Sequence, residues 1–145
     1  GSPMGMMIHA LRGINICVPR NMVQAAGMYN TLLQADEPAI VVECLNGYRL
    51  KEKVPMNLNA MTVPLGVPEV IQEGDDITIV SYGSTLRVIQ EAINEYLIPA
   101  GISCEVVDVQ TLLPFDINHK ILDSLKKTTV VLLNSKKKCT NYAEN

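Results

Sequence analysis

A sharp turn at Gly83 and Ser84 is the first feature of the sequence whose residues could do chemistry. The apolar, β-rich run 77–82 precedes it, and an amphipathic helix is predicted directly after it, over residues 84–101. The free amides and positive end of a helix can bind a phosphate at such a turn. Neither GxGxxG nor GxxxxGK[ST] occurs here, so the sequence favours a simpler interpretation, in which Ser84 or Thr85 caps the helix and Gly83 forms the turn.

Two acidic residues in apolar runs are further candidates. Asp108 ends a predicted buried strand, where it could be a functional carboxylate, because ligands of α/β sheets gather at the carboxyl ends of strands. Capping of a loop amide is the more favoured role. Glu43 lies inside "IVVECL", where an ionised carboxylate is costly unless it is paired. A partner such as Arg49 or Arg20 would make Glu43 structural.

The remaining polar residues do not form a recognisable catalytic group. His9 and His119 are isolated in the sequence, and His119 is expected to be a solvated side chain on a polar helix face. No nucleophile, base and orienting residue occur together. The four cysteines (Cys17, Cys44, Cys104 and Cys139) show no CxxC spacing, so we expect reduced thiols in a cytoplasmic protein and no zinc site.

Composition excludes several classes of function. The chain has 145 residues, of which 48% are hydrophobic and 19% charged, as in an ordinary globular domain. Its net charge of −3 argues against a nucleic-acid surface, and its apolar runs are too short to span a bilayer. The lysines 136–138 are the one basic run, which is expected to be a solvated tail.

The elements that must position these residues follow from the hydrophobic pattern. In the first part, a strand at 14–19, a helix at 21–34 with Asn21 as its N-cap, and a continuous apolar strand at 39–45 form a predicted βαβ unit. Residues 1–5, "GSPMG", resemble an expression scar and are left out of the predicted fold.

The second part of the chain is predicted to have the order β-β-α-β-α-β. Its strands lie within 64–74 and at 77–82, 103–110 and 128–133, and its helices at 84–101 and 116–127. Leu86, Ile89, Ile93 and Leu97 share one face of the first helix, which Gly101 should end, and Asp116 should cap the second. Residues 111–115 are expected to form a loop, and the last three strands to pair in parallel.

The order of these segments resembles a known family. The stretches "VPLGVPEVIQEGDDITIVSYG" and "CEVVDVQTLLPFD" are the most diagnostic parts of a similarity that covers about residues 6–133. They resemble the β subunit of thiamine-diphosphate-dependent 2-oxo acid dehydrogenases of the pyruvate and branched-chain type, in the transketolase-like superfamily. The resemblance implies a three-layer α/β/α fold with a mostly parallel sheet, preceded by a partial pyrimidine-binding βαβ lobe.

The same resemblance implies a division of the chain into segments. Residues 6–55 would be part of a pyrimidine-binding domain, 56–65 a linker, and 66–133 an incomplete transketolase C-terminal domain whose first strand is antiparallel to the rest. Residues 134–145 depart from the family and would form a non-family tail.

The resemblance also implies what this chain lacks. The family's glutamate, which activates the aminopyrimidine of the cofactor, falls upstream of residue 1, and thiamine diphosphate with its Mg²⁺ is held by an α-type domain. No catalytic, cofactor-binding or metal-binding residue is therefore carried over; Gly83, Ser84 and Asp108 stay as weak ligand or interface candidates. The implied partners are an α subunit or α-type domain, a second β subunit and a lipoyl acyltransferase core, and self-association is expected, with no nucleic acid and no membrane.

Two alternatives remain open at this point. One is a stand-alone α/β module that binds a small anion through Gly83, Ser84 and Asp108. The other is a fragment of transketolase or of deoxyxylulose-phosphate synthase, although "CEVVDVQTLLPFD" favours the dehydrogenase branch.

Overall fold

A computed structural model of the chain describes residues 3–128 and 130–133. The helices are α1 (Met4–Ala10), α2 (Met22–Leu32), α3 (Thr85–Ala92) and α4 (Lys120–Leu125). The strands are β1 (Asn15–Cys17), β2 (Ala39–Val41), β3 (Glu69–Gln72), β4 (Ile77–Ser81), β5 (Cys104–Asp108), β6 (Thr111–Leu113) and β7 (Val130–Leu133). A 3-10 turn covers Leu45–Arg49, and a π-helical turn at Ile93–Leu97 extends α3.

The predicted βαβ unit is confirmed. β1 and β2 pair in parallel, with Ile16 opposite Ile40, and α2 connects them. Asn21 caps α2 as expected, because its side-chain oxygen accepts a hydrogen bond of 2.8 Å from the backbone N–H of Gln24. All three residues of β1 are buried, so β1 is the central strand of its sheet.

Two predictions about this first sheet are wrong. The run 39–45 was expected to be one strand covered on both faces, but β2 ends at Val41 and lies at the sheet edge, with Ala39 exposed. Residues 111–115 were expected to be a loop, but β6 pairs antiparallel with β1. The sheet order β2-β1-β6 therefore joins segments that are far apart in the sequence.

The second sheet has the predicted architecture. Its order is β3-β5-β4-β7; β4 is parallel to β5 and β7, and β3 is antiparallel to β5. Alternation along the strands separates two cores: Ile79 and Val106 pack towards α3, while Val80 and Val107 pack with Ile121 of α4. A helix thus covers each face, which gives the three-layer α/β/α arrangement.

The helix after Gly83 has the predicted buried face but not the predicted cap. Leu86, Ile89 and Ile93 are buried, and Gly101, at φ +75°, ends the helical segment. No side-chain cap bond is present at Ser84, and the Oγ1 of Thr85 is buried without a hydrogen-bond partner in the described part of the chain. Capping by Ser84 or Thr85 is therefore wrong, because Ser84 already has helical dihedrals, with φ −63° and ψ −12°, in place of the extended backbone of an N-cap.

α4 begins later than predicted. It starts at Lys120, after His119, whose φ is +57° and whose side chain is exposed, as expected. Asp116 still binds a backbone amide in the first turn of α4, since its Oδ2 accepts a 3.2 Å hydrogen bond from the N–H of Ile121. Its other oxygen, Oδ1, is buried and has no partner among the described residues.

The exclusion of residues 1–5 from the fold is wrong for Met4. This residue begins α1 and is 6% exposed, packed in the core that also holds Ile16 and Val80. Its burial follows from an apolar side chain on the inner face of a short helix. An expression-vector origin for this segment stays a prediction, as do the domain boundaries.

Several other expectations can be compared with the described residues. Among the described cysteines, Cys17, Cys44 and Cys104, no disulfide bond is formed. Cys139 and the lysines 136–138 lie outside the described residues, as does the whole segment 134–145. Within the described ranges, no helix is both long and apolar enough to cross a bilayer.

Candidate binding groove at the junction of the two sheets

A guanidinium held by two carboxylates lies where the two sheets meet. Arg20 follows β1, and its Nη1 lies 2.7 Å from Oδ2 of Asp108 at the end of β5. The same nitrogen lies 2.6 Å from Oε2 of Glu69 at the start of β3. The Asp108 side chain is 0% exposed, whereas that of Glu69 is 47% exposed. Asp108 is therefore the interior anchor, and Glu69 the solvent-facing partner.

Two glutamines complete the network around Asp108. Gln24 of α2 donates through Nε2 to Oδ2 of Asp108 at 3.0 Å and to Oε1 of Gln110 at 2.6 Å. The backbone N–H of Gln110 donates to Oδ1 of Asp108 at 3.0 Å, and its side chain donates to the carbonyl of Val67. The favoured expectation that Asp108 caps a loop amide is confirmed. The carboxylate also ties α2 to β5.

The electrostatics of this pair follow from burial and from its donors. Burial raises the pKa of Asp108, and the hydrogen bonds from Arg20 and Gln24 limit that rise. Burial acts to lower the pKa of Arg20, but its two carboxylate partners outweigh it and raise the pKa. With three donors within 3.0 Å of its oxygens, Asp108 is best satisfied as a carboxylate.

A second buried carboxylate lies near the amino ends of the parallel strands. Glu105 of β5 is 0% exposed; its Oε2 lies 3.2 Å from Nζ of Lys127, and its Oε1 accepts from the hydroxyl of Thr78. Lys127 also lies 3.7 Å from Glu73. The hydrogen bond with Glu105 raises the pKa of Lys127. The charge of Glu105, inside an otherwise apolar strand, is thus compensated.

An open groove of about 690 Å³ runs between these two ion-paired centres. α2, the segment 61–70, β3 and α4 form its walls, and the charged side chains that line it are Arg20, Glu69, Glu73, Lys120, Asp123 and Lys127. Each lining carboxylate contacts a cation: Glu69 meets Arg20, Glu73 meets Lys127, and Asp123 meets Lys126 at 3.1 Å. No carboxylate of this groove is left unpaired to act as a base.

The groove does not fit a magnesium diphosphate on its own. In the described part of the chain, no three His, Cys, Asp or Glu side chains converge as metal ligands would. Arg20 and Lys127 each already contact two carboxylates. A diphosphate placed here would therefore find Lys120 as the one lining cation without an ion pair among the described residues.

The structure places Gly83, Ser84 and Asp108 at one edge of the sheet but pairs Asp108 with Arg20 and Gln24. Gly83 has φ +62° and forms the predicted turn, packed against Val18. Ser81 lies opposite Asp108 across the paired strands, so Gly83, Ser84 and Asp108 lie at the same edge of the sheet. Asp108 is nonetheless directed at Arg20 and Gln24 and is inaccessible to a ligand at the turn.

Glu43 is paired, but not with an arginine. Its Oε1 accepts a 2.6 Å hydrogen bond from the hydroxyl of Tyr29, and its Oε2 accepts one from the hydroxyl of Tyr48. These hydrogen bonds, with that of Tyr29 the larger, lower the pKa of Glu43, and the pKa of Tyr29 is raised to about 12. The suggested partners Arg49 and Arg20 are wrong. Glu43 follows the edge strand β2 and lies within hydrogen-bonding distance of two tyrosines, while Arg20 forms its ion pair with Asp108.

Sequence reasoning missed most of the network. Arg20 was considered only as a partner of Glu43, and Gln24, Gln110 and Glu105 were not considered at all. Gln24 is separated from Asp108 by 84 residues and Arg20 by 88, so no local pattern connects them. The available signal was weak: three long polar side chains (Arg20, Gln24 and Gln110) next to predicted buried strands, where they need partners.

A family comparison agrees with the fold of the second sheet. The sequence model of the transketolase C-terminal domain matches residues 66–137. Similar folds include a "split gene transketolase, inactive beta4 tetramer", with a TM-score of 0.70 and 21% identity over 89% of this chain and 40% of that one. A transketolase mutant from Pichia stipitis has a TM-score of 0.61 at 17% identity and covers 92% of this chain and 20% of that one. These likenesses establish the fold.

Sequence relatives point to one branch of the superfamily. The mitochondrial 2-oxoisovalerate dehydrogenase subunit beta of Dictyostelium discoideum is 33% identical over 122 residues, which are 83% of this chain and 32% of that protein. In Bacillus subtilis, 2-oxoisovalerate dehydrogenase subunit beta is 34% identical over 83% of this chain and 36% of its own length. The pyruvate dehydrogenase E1 component subunit beta of the same bacterium is 33% identical over 80% of this chain and 35% of its own length.

The chain spans about a third of the length of these relatives. The predicted resemblance is thereby confirmed. The second sheet and the helix layers on its two faces have the fold that this resemblance implies. Residues 66–137 match the sequence model of the transketolase C-terminal domain, and the chain is similar in sequence to the β subunits of 2-oxo acid dehydrogenases.

Proposed function

We propose that the chain is part of the β subunit of a thiamine-diphosphate-dependent 2-oxo acid dehydrogenase. The parent enzyme would decarboxylate a 2-oxo acid oxidatively, with bound thiamine diphosphate and Mg²⁺, and pass the acyl group to a lipoyl carrier. The observation that carries this proposal is the 33–34% identity to dehydrogenase β subunits over at least 80% of the chain.

This chain alone would be catalytically inactive. Each carboxylate that lines the groove is engaged by a cation. A general base must be able to reach and accept a proton, which a carboxylate held in an ion pair does poorly.

The proposed role of the chain is subunit assembly. Large apolar side chains are exposed on several elements, such as Leu33 at 84%, Leu45 at 78% and Met56 at 107%. Exposed apolar groups of this size are typical of interaction surfaces when they form patches. The proposed partners are an α subunit or α-type domain, a second β subunit and an acyltransferase core. A cytoplasmic location is also proposed, because the described cysteines form no disulfide bond.

A decarboxylation assay tests the proposed inactivity. The whole chain is incubated with thiamine diphosphate, Mg²⁺, an artificial electron acceptor, and either pyruvate or 3-methyl-2-oxobutanoate. We expect no turnover above a control without protein. Clear turnover by the isolated chain would overturn the proposal.

A stand-alone anion-binding module is the second candidate. The buried Oγ1 of Thr85, without a partner in the described residues, is the observation in its favour. The buried, paired state of Asp108 speaks against it. A thermal-shift screen of small anions separates the two candidates, since a ligand at a hundredfold excess over its Kd stabilises a protein by about 2.7 kcal/mol.

A further inference from the structure

The 3-10 turn after β2 and the residues that follow it expose a group of cations. Arg49, Lys51 and Lys53 all have exposed side chains. Among residues 3–128 and 130–133, none of these three cations forms an ion pair. The whole chain has a net charge of −3, so this is a local excess of positive charge. We call residues 45–54 the basic segment.

The one acid of the basic segment is turned away from its cations. The carboxylate of Glu52 accepts hydrogen bonds from the backbone N–H groups of Met22 and Val23, at 3.2 and 3.1 Å, at the start of α2. Glu52 therefore compensates the amides of a helix start and fixes the segment against α2. Its neighbours Lys51 and Lys53 are exposed, while Glu52 itself is half-buried. The two lysines are thus presented to solvent from a fixed backbone.

The backbone of the basic segment is unpaired where the lysines lie. Residues 51–55 belong to no helix, strand or turn. Within the described ranges, the backbone N–H and C=O groups of residues 51–54 form no hydrogen bond. Leu50 has extended dihedrals, with φ −81° and ψ 133°, and Val54 precedes Pro55, which disfavours a helical backbone. An extended run with free peptide groups can pair with a strand of another chain.

Large apolar side chains lie between the cations of the basic segment. Leu45 is 78% exposed, Tyr48 58%, Leu50 49% and Val54 66%. A partner that matches this surface needs apolar side chains as well as carboxylates, at neighbouring positions of one extended chain.

We propose that the basic segment is the docking site for an acidic, extended segment of a partner protein. That segment pairs with the free backbone groups of residues 51–54 and places carboxylates against Arg49, Lys51 and Lys53. This inference rests on the assembly role in the proposed function, and it adds the chemistry of the surface by which a partner is recognised.

The unpaired backbone distinguishes a peptide chain from other anionic partners. The hydrocarbon of a bilayer offers no donors or acceptors to free peptide groups, although lipid headgroups would attract the cations. A nucleic acid is bound mainly through its phosphates, which the net charge of −3 disfavours. An acidic peptide supplies carboxylates, apolar side chains and peptide groups together.

Calorimetric titration of the whole chain with a short synthetic peptide, in which glutamate and valine alternate, tests the proposal. We expect saturable binding of one peptide per chain. K51E/K53E should weaken it about tenfold or more, because carboxylates then face each other. R87E/K126E is the matched control: it reverses two cations that are 58% and 67% exposed on other elements and changes the net charge equally. The control should bind the peptide like the unchanged chain.

Amide hydrogen exchange tests the backbone part of the proposal. The peptide should slow the exchange of the amides within residues 51–54, because they gain hydrogen-bond partners when a strand is added. A contact made by charge alone would leave their exchange unchanged. Circular dichroism of each variant checks that folding is unchanged, so that lost binding is not a lost fold.

The outcomes separate this docking site from the proposed function. Absence of saturable binding, equal weakening by the two double variants, or binding without slowed amide exchange overturns the inference. Phosphatidylserine vesicles that bind the chain and displace the peptide would also overturn it, in favour of a lipid surface. None of these results bears on the decarboxylation assay, and turnover in that assay would overturn the proposed inactivity without affecting peptide binding.

Discussion

Among the charged residues, Asp108 is the one whose replacement should destabilise the chain most. Asp108→Asn removes the interior partner of Arg20 and should lower the free energy of unfolding by about 2 to 4 kcal/mol, as when a buried ion pair loses one member. Glu69→Gln removes the exposed partner of the same guanidinium and is the matched control, with an expected loss of about 1 kcal/mol or less. Urea unfolding of both variants measures the difference.

Equal effects of the two substitutions would contradict this assignment. They would indicate that Arg20 is held as strongly by the 47% exposed Glu69 as by the fully buried Asp108. The sequence analysis selected Asp108 but not its partner, because the strand pattern shows where a carboxylate is buried and not which distant cation reaches it.

Glu43 gives a pH-dependent prediction at the same scale. Its pKa is lowered by the hydroxyls of Tyr29 and Tyr48, so the ionised form stabilises the fold above the pKa of the unfolded chain. This stabilisation is lost as the pH falls through the folded pKa. Tyr29→Phe should raise the pKa of Glu43 towards its ordinary value, as measured by carboxyl-carbon NMR titration.

Tyr96→Phe is the control for that titration, since Tyr96 is an exposed tyrosine on another element. It should leave the pKa of Glu43 unchanged. An unchanged Glu43 pKa in Tyr29→Phe would mean that the 2.6 Å hydrogen bond does not persist in solution.

The junction between β4 and α3 depends on a glycine for two separate reasons. Gly83 has φ +62°, and a Cβ at this position would lie 2.9 Å from Cγ1 of Val18. Gly83→Ala should therefore lower the free energy of unfolding by about 2 to 5 kcal/mol, from left-handed backbone strain and overpacking together.

Gly101→Ala separates these two causes. Gly101 has φ +75°, but nothing lies within 4 Å of the added Cβ. The expected loss is only the backbone part, about 1 to 2 kcal/mol. Thermal or urea unfolding measures the loss of unfolding free energy in both variants. Similar losses would show that the contact with Val18 relaxes without penalty.

The elements differ in how far the sequence determined them. α2, α3 and the parallel strands were predicted because their apolar residues repeat at the helical or strand period, and because Asn21 and Gly101 mark ends by local chemistry. β6 could not be predicted, since it is a strand only through its pairing with β1, where Cys17 lies opposite Thr111 and Ile16 opposite Leu113. The run 39–45 has a strand composition throughout, but β2 ends early, at Val41. Just beyond that end, Glu43 is hydrogen-bonded to Tyr29 and Tyr48.

At the scale of the whole molecule, the first sheet depends on the second part of the chain. β6 comes from within residues 66–137 yet pairs with β1, and Asp108 and Gln110 bind Arg20 and Gln24. The two parts therefore fold around shared contacts. Among the described residues, the carboxylates that line its groove are all paired with cations and do not converge as metal ligands.

Calorimetric titration of the whole chain with thiamine diphosphate in the presence of Mg²⁺ tests the central claim most directly. We predict no saturable binding up to millimolar cofactor, because Arg20 and Lys127 in the groove each already contact carboxylates and no described carboxylates converge as metal ligands. Saturable binding of one cofactor per chain with a micromolar Kd would contradict the claim that this chain is an assembly piece without a cofactor site of its own.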